Sequence, residues 1–377
     1  MKIFRTATVP TSLNSFCYGL LGELTREGYE VVAVASPGPE MATIAEREGV
    51  RTIAVPMERR ISPFKDLKSL WQMWRVMRRE RPDMVHSITP KAGLISMMAA
   101  WLARVPIRIH TFTGLVFPTS TGLKRRILMA TDRLTCACAT HIIPEGEGVK
   151  ADLLNNHITR KPLRVLGYGN IRGIDLEFFK HDLEPPLTHP EGGGFTFVFV
   201  GRLVGDKGIN ELIAAFLRLN KEHPDTRLVL VGPEESDLDP IKQETRAEIE
   251  RNAAIEAVGR QSDVRPFYAA ADALVFPSYR EGFPNVVIEA GAMGLPSIVT
   301  DINGSREIII EGENGTIVPS KDADALYNAM KRFVENPEEV KRMAANARPL
   351  IASRYEQSYV HQCLKDYYKE VASPTPS

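Results

Sequence analysis

Short apolar runs alternate with longer amphipathic stretches through the first half of the chain. The runs are rich in Val and Ile, which favours buried strands, and the stretches have the three-to-four-residue spacing of helices. Strands are predicted at Lys2–Ala7, Glu30–Ala35, Arg51–Val55, Met84–Ser87, Ile107–Thr111, His141–Ile143 and Leu163–Leu166. Helices are predicted around residues 13–28, 39–48, 65–80, 91–103, 123–138 and 145–155. This alternation predicts a doubly wound parallel α/β sheet.

The same alternation starts again after residues 181–194, which are rich in Pro and Gly, lack periodicity and are typical of a linker. Strands are predicted at Phe195–Val200, Arg227–Val231, Ile255–Val258, Ala273–Phe276, Ser297–Thr300 and Gly315–Val318. The end is predicted to be helical from about Asp322 to Glu370, with breaks near Pro337 and around Ser353, and the tail Ala372–Ser377 is expected to fray. The pattern therefore predicts two doubly wound domains, residues 1–180 and 195–377.

Composition places the chain among ordinary globular proteins. Its 377 residues suffice for two domains, and 44% of them are hydrophobic and 25% charged. No run approaches the length of a membrane span, and Met1–Arg5 lacks the features of a signal peptide. The four cysteines, Cys17, Cys136, Cys138 and Cys363, lack metal or disulfide spacing, so we expect buried or incidental thiols in a reducing cytoplasm.

Charge is distributed unevenly although the net charge is zero. Residues 1–180 contain 26 lysines and arginines against 16 acidic residues, a net charge of +10, and the rest of the chain carries −10. Such asymmetry indicates that the basic half binds a surface. Nucleic acid is one candidate partner for the basic half. The chain has no nucleic-acid motif and no interleaved aromatic residues, so we favour an anionic membrane surface or an acceptor that carries phosphate.

Two acidic residues, Glu281 and Glu289, lie on either side of a predicted helix start at Asn285. With Asn285 as the N-cap, the first amides of this helix would face a ligand, and such amides bind phosphates. A diphosphate on the amides with a hydroxyl-binding carboxylate on either side suits a nucleotide sugar. The alternative is that both acids are solvated surface charges, as most glutamates are.

The segment Glu281-Gly-Phe-Pro-Asn-Val-Val-Ile-Glu289, followed by Ala-x-Ala-x-Gly-x-Pro, closely resembles the E-x7-E signature of glycosyltransferase family 4. The resemblance implies retaining enzymes of the GT-B fold, in which two doubly wound domains face a central cleft. It implies an acceptor-binding first domain, a nucleotide-sugar-binding second domain, and a last helix, about residues 355–370, that packs back on the first. The residues expected to bind the donor in this segment are Gly282, Phe283, Pro284, Asn285, Val286 and Glu289, with Glu281 on the reacting sugar.

A glycine-bearing loop with two cations follows the first strand of the second half. Gly201, Arg202 and Lys207 lie in it just ahead of a predicted helix, which suits a leaving diphosphate. A purely structural loop is an equally good explanation of the residues alone. Family 4 members carry a matching segment whose Arg and Lys bind phosphates, and by resemblance Arg202 and Lys207 take that role. A further resemblance implies backbone contact with the nucleotide base near Val264.

Candidate acceptor residues lie at strand ends of the first half. Thr11 or Ser12 is predicted to cap the first helix, in a loop that lacks the family's paired glycines. His86 and Lys91 belong to a His-x-x-Thr-Pro-Lys segment that resembles capsule and lipopolysaccharide members of the family. His86 either points into the cleft or is a hydrogen-bonded core residue. Lys91 opposes the usual preference for acids at a helix start, a conflict more expected at a functional site.

Three further candidates lie at or just after the ends of the next two strands. Thr113 occupies the position at which many family members have a sugar-binding His, and the nearby His110 cannot simply replace it. This departure leaves sugar choice and acceptor positioning open. Glu145 follows a strand at a predicted helix start, where it either faces the cleft or complements the helix dipole.

Basic helices in the first half carry aromatic residues. Arg59 and Arg60 precede a stretch with Trp71, Trp74 and several arginines, and Lys124–Arg126 lie on another helix. Such helices can lie on anionic membranes. The alternative is an ordinary amphipathic helix whose tryptophans face the core.

Together these features predict a retaining transferase that moves a hexosyl or N-acetylhexosaminyl group from a nucleotide sugar, with UDP most favoured, to a hydroxyl on a lipid-linked acceptor. We expect it in the cytoplasm at the inner membrane face, with no cofactor and no nucleic acid. No metal is expected at the site, so Arg202, Lys207 and helix amides are expected to stabilise the diphosphate. The alternatives are an epimerase of similar fold and a catalytically silent partner of another transferase.

Overall fold

The computed structural model describes residues 1–58, 62–180, 194–235 and 239–373, which form two compact units. The first comprises Met1–Gly173 and the chain from Ser358 onward, and the second comprises Ile174–Gln357. Each contains one six-stranded parallel sheet with flanking helices, so the predicted fold class is confirmed. Most of the predicted linker, together with Arg59, Arg60 and the end of the tail, lies outside the described residues.

The first sheet has the strand order β3-β2-β1-β4-β5-β6. Its strands are β1 (Lys2–Thr6), β2 (Glu30–Ala35), β3 (Arg51–Ala54), β4 (Met84–Ile88), β5 (Ile107–Phe112) and β6 (His141–Pro144). Its helices are α1 (Pro10–Phe16), α2 (Leu20–Arg26), α3 (Glu40–Glu48), α4 (Pro63–Glu80), α5 (Pro90–Ala103), α6 (Gly122–Cys138) and α7 (Glu147–Asn155). Phe4 and Val85 belong to one core and Ile3 and Met84 to another, so alternate strand residues bury both faces of the sheet.

The second sheet has the order β12-β11-β10-β7-β8-β9. Its strands are β7 (Thr196–Val200), β8 (Arg227–Val231), β9 (Ile255–Gly259), β10 (Ala273–Phe276), β11 (Ser297–Thr300) and β12 (Gly315–Val318). Its helices are α8 (Ile209–Glu222), α9 (Gln243–Arg251), α10 (Arg265–Ala269), α11 (Asn285–Ala292), α12 (Ser305–Ile308), α13 (Ala323–Glu335) and α14 (Pro337–Tyr355).

In both sheets, the second and third strands are added on one side of the first strand, and the last three strands are added on its other side. The winding direction changes between β1 and β4 in the first sheet and between β7 and β10 in the second. In open α/β sheets, ligands bind outside the carboxyl ends of the strands at such a switch point. The loops that follow these four strands are therefore the places to look for a site.

The last helix, α15 (Gln357–Ala372), packs almost entirely within the first unit. The hydroxyl of its buried Tyr368 accepts a hydrogen bond of 2.9 Å from the buried Arg5 on β1. Helix α15 also contacts α2, where the carboxylate of Glu23 binds His361 at 2.9 Å and Lys365 at 3.1 Å. The C-terminal helix therefore belongs to the same unit as the first strand of the chain.

Three element predictions are wrong in detail. The predicted strand Leu163–Leu166 makes only one isolated bridge, between Leu163 and Ile142, because Pro162 and the positive φ of Gly167 take the backbone out of the sheet. The predicted helix 13–28 is split into α1 and α2 at Gly19, whose φ is +77°. The last break falls at Glu356, not around Ser353. No helix among the described residues is long and apolar enough to cross a bilayer.

Candidate functional site

Two loops of the second unit meet at the switch point between β7 and β10. One runs from Gly201 through a 3-10 turn, Gly205–Lys207, into α8, and the other connects Pro277 with α11. The amide of Tyr279 donates to the carbonyl of Asp206 at 2.8 Å. Gly208 has φ +72°, and a Cβ there would collide with the Pro277 carbonyl. A glycine at 208 therefore allows both the backbone angle and the close approach of the loops.

Lys207 and Glu281 form an ion pair that joins the two loops. Ser278 also donates a hydrogen bond of 2.9 Å to Oε1 of Glu281. The side chains of Lys207 and Glu281 are 14% and 18% exposed, so both are held in place and still reachable from solvent. The carboxylate is therefore oriented before any ligand arrives, and its charge is balanced by Lys207.

Arg202, the other predicted cation, lies apart from this pair. Its guanidinium forms an ion pair of 2.9 Å with Glu235, and both side chains are almost half exposed. Exposed ion pairs of this kind contribute little to stability, typically about 0–1 kcal/mol. Arg202 can therefore exchange Glu235 for another anion at small cost.

The signature segment is packed against the loop after β11. Gly282, Phe283 and Pro284 are buried, and Phe283 makes an edge contact with Tyr355 at a centroid distance of 5.5 Å. Gly304 has φ +74°, and a Cβ there would lie 2.6 Å from the carbonyl oxygen of Gly282. This packing holds the segment's backbone in place directly after Glu281.

The start of α11 differs from the prediction. Pro284 is the N-cap residue and makes no side-chain cap, so Asn285 is the first helical residue rather than the cap. The amide of Val287 donates to the Pro284 carbonyl at 3.1 Å and is occupied within the first turn. The φ that the proline ring imposes is compatible with the N-cap position, so Pro284 can occupy it.

Glu289 lies one turn into α11 and is 8% exposed. The fully buried Tyr268 of α10 donates a hydrogen bond of 3.3 Å to its Oε2. Val264, the N-cap residue of α10, is partly buried near this tyrosine. Tyr268 therefore links two of the predicted donor-binding positions. Since Glu281 is also largely buried, the interpretation of both acids as solvated surface charges is wrong.

Sequence analysis missed Ser278 and Tyr268. Ser278 lies directly after Pro277 at the end of a buried strand, and its carbonyl accepts a hydrogen bond from Thr300 of β11. Tyr268 lies four residues after Val264. No local pattern marks either residue, because each is defined by a partner on another strand or helix.

In the first unit, the caps differ from the prediction. The N-cap of α1 is Val9, Pro10 is its first residue, and Thr11 and Ser12 lie within the helix and do not cap it. Thr11 donates instead to Glu40 at 3.2 Å. The correction follows from Pro10, because proline is favoured at the first helical position.

A threonine pair at the β1–β4 switch point was also missed. Thr8 Oγ1 accepts a hydrogen bond of 3.1 Å from the amide of Ala92 and lies 2.8 Å from Thr89 Oγ1. The start of α5 is thus capped by a side chain from a different loop. Thr89 itself has φ +71°, which is unfavourable for a β-branched residue.

Lys91 is paired with Asp66 of α4, with Nζ and Oδ2 2.5 Å apart and side chains 11% and 20% exposed. The conflict between a lysine and the helix dipole is therefore compensated by a carboxylate from the neighbouring helix. Nothing local in the sequence indicates this pairing.

His86 and His110 lie in the core, each 1% exposed. His86 bonds Thr111 Oγ1 through Nε2 at 2.7 Å and the Tyr368 hydroxyl through Nδ1 at 2.6 Å, and burial lowers its pKa well below the usual value. His110 bonds Ser87 at 2.8 Å, and burial lowers its pKa to about 3. The expectation that His110 lines the acceptor site is corrected, and for His86 the structure supports the core alternative.

Thr113 and Glu145 follow the ends of β5 and β6. Thr113 is partly exposed, whereas Glu145 is 2% exposed. The backbone of Glu145 bonds Phe112 through N–H at 3.0 Å and Asn170 through its carbonyl at 2.9 Å. Since α7 begins at Glu147 with Gly146 as its N-cap, Glu145 precedes the helix and does not start it.

Asp263 and Arg265 pair with each other at 2.6 Å, and hydrogen bonding to Arg265 lowers the pKa of the Asp263 carboxyl.

No group of three or more metal-ligating side chains occurs in the described part of the chain. Its cysteines are all free, with Cys363 the only one not fully buried.

Two family models match the chain. The model of glycosyl transferases group 1 matches residues 185–349, and that of the glycosyl transferase 4-like domain matches residues 13–169. The capsular polysaccharide biosynthesis glycosyltransferase CapM of Staphylococcus aureus is 31% identical over 371 residues, which span 97% of this chain and 96% of CapM. The UDP-Gal:alpha-D-GlcNAc-diphosphoundecaprenol alpha-1,3-galactosyltransferase of Escherichia coli is 29% identical, over 85% of this chain and 84% of that enzyme.

Solved structures agree on the fold. Anabaena HepE in complex with UDP-glucose matches 98% of this chain and 100% of its own, with a TM-score of 0.78 and 18% sequence identity. At that identity the likeness concerns the fold alone, and it extends across both units.

Proposed function

The chain belongs to the GT-B glycosyltransferases of family 4, and on that premise we propose that it is a retaining transferase with a UDP-linked sugar as donor. The transferred group is a hexosyl or N-acetylhexosaminyl residue, and the acceptor is a hydroxyl of a lipid-linked sugar. The enzyme acts in surface polysaccharide synthesis on the cytoplasmic side of a membrane. CapM supports the polysaccharide role, and the E. coli relative, named for a UDP donor and a diphosphoundecaprenol acceptor, supports both substrates.

The Lys207–Glu281 ion pair at the β7–β10 switch point is the observation that carries this proposal. It places a cation and a carboxylate, side by side and accessible, where α/β sheets bind ligands. Glu281 receives hydroxyls of the donor sugar, and Lys207 lies beside the diphosphate. The buried Glu289 receives the ribose, and the backbone near Val264 meets the base.

Catalysis in this proposal is electrostatic. As the bond from the sugar's anomeric carbon to the diphosphate oxygen breaks, negative charge grows on the leaving group, and Lys207 and Arg202 stabilise it. The acceptor hydroxyl attacks from the face that the diphosphate leaves. It forms the new glycosidic bond and gives its proton to a diphosphate oxygen, so the anomeric configuration is retained. No protein nucleophile and no cofactor take part.

Thr113 stands where many relatives have a histidine, which keeps a catalytically silent partner as the second candidate. A silent partner binds the donor and forms no product. Product analysis with purified protein, UDP-sugars and an undecaprenyl-diphosphate-linked sugar separates the two. Transfer with retained configuration supports the proposal, whereas donor binding with no product supports the silent partner.

Arg202→Ala and Lys207→Ala test the phosphate site. Each should lower turnover by about 10²-fold or more, as loss of one transition-state charge contact typically does. Arg251→Ala, which removes an exposed ion pair with Glu248 on α9, is the matched control and should leave turnover unchanged. Near-normal rates in both site variants would remove these residues from the site.

Activity is proposed to need no divalent metal, because the two cations take the metal's place beside the diphosphate. It should therefore survive excess EDTA. Complete loss that Mg²⁺ or Mn²⁺ restores would contradict this part of the proposal.

A further inference from the structure

Exposed apolar side chains are concentrated on three neighbouring helices of the first unit. Fourteen large hydrophobic residues are exposed among those described, and eight of them lie on α4, α5 and α6. These eight are Phe64, Leu67, Trp71, Trp101, Leu102, Leu123, Ile127 and Leu134. α5 packs against both α4 and α6, so the three helices form one continuous layer. Single exposed hydrophobic residues are ordinary, but a cluster on adjoining elements marks a binding surface.

On α4, the exposed apolar residues share one side of the helix. Phe64, Leu67 and Trp71 are 91%, 66% and 52% exposed and are spaced by three and four residues. The buried Met73 and Met77 belong to the core beneath. The helix is therefore apolar on two sides, which an ordinary amphipathic surface helix is not.

Helix α6 repeats this arrangement. Leu123, Ile127 and Leu134 are 73%, 41% and 42% exposed, and their spacing of four and seven residues places them on one side. On α5, which lies between the other two helices, Trp101 and Leu102 are 57% and 48% exposed near the C-terminal end. The apolar surface thus extends over all three helices.

Cations accompany these apolar residues. On α4, Lys68, Arg75 and Arg78 are exposed and fall on the side of Phe64 and Trp71, and the Arg75 guanidinium lies 5.3 Å from the centre of the Trp71 ring. On α6 the exposed cations are Lys124, Arg126 and Arg133.

The acids of α4 are already engaged. Asp66 pairs with Lys91, and Glu80 pairs with Arg51 and Lys2. The exposed charge beside the apolar residues is consequently positive.

We propose that the outer surface of α4, α5 and α6 docks on an anionic phospholipid bilayer. The apolar side chains enter the boundary between headgroups and acyl chains, with Trp71 and Trp101 at headgroup depth, and the cations bind lipid phosphates. A second copy of the chain fits less well, because a twofold contact would bring the same cationic surface against itself. The inference rests on the proposed function only in that a lipid-linked acceptor gives the docking a purpose.

Sedimentation with vesicles provides the first test. The protein should bind vesicles that contain phosphatidylglycerol far more than vesicles of phosphatidylcholine alone, and salt should weaken the binding. Combined charge reversal at Arg75, Arg78 and Lys124 should lower affinity by about tenfold or more. The matched control reverses Arg218, Arg251 and Lys341 in the second unit, with the same change in net charge, and should bind as wild type does. Equal loss in both triple variants would overturn the surface assignment.

The apolar contribution is tested separately. Leu67→Ser with Leu123→Ser should reduce binding, whereas Tyr18→Ser, which changes an exposed aromatic residue between α1 and α2, should not. The variants with changes in the first unit should bind UDP in calorimetry as wild type does, because their second unit is untouched. Loss of vesicle binding with intact UDP binding therefore concerns docking alone, and absence of UDP binding in wild type concerns the proposed function alone.

Tryptophan fluorescence reports insertion directly, because all three tryptophans of the chain lie on α4 and α5. Brominated acyl chains should quench Trp71 and Trp101 in single-tryptophan variants. Trp74, half-buried against the core, should respond less. Vesicle binding without quenching would overturn insertion. A concentration-dependent dimer that Leu67→Ser with Leu123→Ser abolishes would assign the surface to a second copy and overturn the proposal.

Discussion

At the scale of single residues, the pairing of Lys207 with Glu281 resolves an electrostatic difficulty. In the proposed site a carboxylate beside a diphosphate would repel it, and Lys207 balances that charge. Lys207 and Ser278 both bind Oε1 of Glu281, so these two contacts orient the carboxylate through one of its oxygens. Glu289 lies in a different environment, buried and bonded to the Tyr268 hydroxyl. Two glutamates of one motif therefore have surroundings that suit different tasks.

Conservative amides at the two acids should separate these tasks. Glu281→Gln should lower kcat by about 10²-fold while UDP still binds, because the contact strengthens where the sugar reacts. Glu289→Gln should affect the nucleotide, which donor and product share, so it should raise KM and weaken the binding of UDP. Glu256→Gln, on the exposed side of β9, is the control. If calorimetry finds UDP binding abolished by Glu281→Gln and unchanged by Glu289→Gln, the two assignments are reversed.

The buried His110 predicts a pH dependence of stability. Its pKa is about 3 in the folded protein and about 6.5 in an unfolded chain, so the unfolded state binds more protons between these values. Stability should fall as pH drops from about 6.5 towards 3, and His110→Gln should make that fall shallower by up to about 1.4 kcal/mol per pH unit. Denaturant unfolding across this range measures it, with exposed His157→Asn as control. An unchanged slope in His110→Gln would contradict the folded-state pKa.

At the scale of elements, the contact between the β7 and β10 loops depends on backbone space rather than on side chains. Gly208 and Gly312 have nearly equal positive φ, +72° and +75°. A Cβ at 208 would strike Pro277, whereas a Cβ at 312 would meet nothing within 4 Å. A comparison of substitutions at these two positions therefore distinguishes the effect of backbone strain from that of steric collision.

Gly208→Ala should therefore disrupt the site more than strain alone explains. Both alanine variants should lose about 1–2 kcal/mol from the left-handed backbone, but only Gly208→Ala should also move Lys207 away from Glu281 and lower turnover. Melting temperature and kcat measured together distinguish the effects. Equal activity in the two variants would show that the loop contact does not position the site.

At the scale of the whole molecule, the C-terminal helix binds to the first strand of the chain. Tyr368 contacts Arg5 and His86, three buried polar residues of one cluster. Buried polar groups must keep their partners, because an unsatisfied group costs about 1–3 kcal/mol. The stability of the first unit therefore depends on a residue near the far end of the sequence.

Tyr368→Phe should destabilise the first unit by about 1–3 kcal/mol, since it removes the hydroxyl while keeping the ring. Tyr359→Phe, on the partly exposed side of α15, should cost much less. Thermal unfolding followed with and without UDP tests this, because UDP should stabilise only the second unit. A Tyr368→Phe protein as stable as wild type would show that the cluster contributes nothing.

Elements whose pattern is local can be predicted from the amino-acid sequence alone. Arg227–Val231, Ala273–Phe276 and Gly315–Val318 were predicted to the residue, because a buried parallel strand is an apolar run that needs no knowledge of its neighbours. The Glu281–Glu289 segment was found in the same way, as a pattern within one stretch of chain.

Which side chains meet depends on the packing of the elements and is visible only in the folded protein. The ion pair of Lys207 with Glu281, the cap of α5 by Thr8, and the contact of Tyr368 with His86 join residues far apart in sequence. Burial follows the same rule: His86 and His110 lie within β4 and β5, and the elements packed over these strands bury them. Hydrophobic periodicity predicts on which side of its own helix or strand a residue lies. Which partner that residue meets, and which element covers it, depends on how the elements pack together.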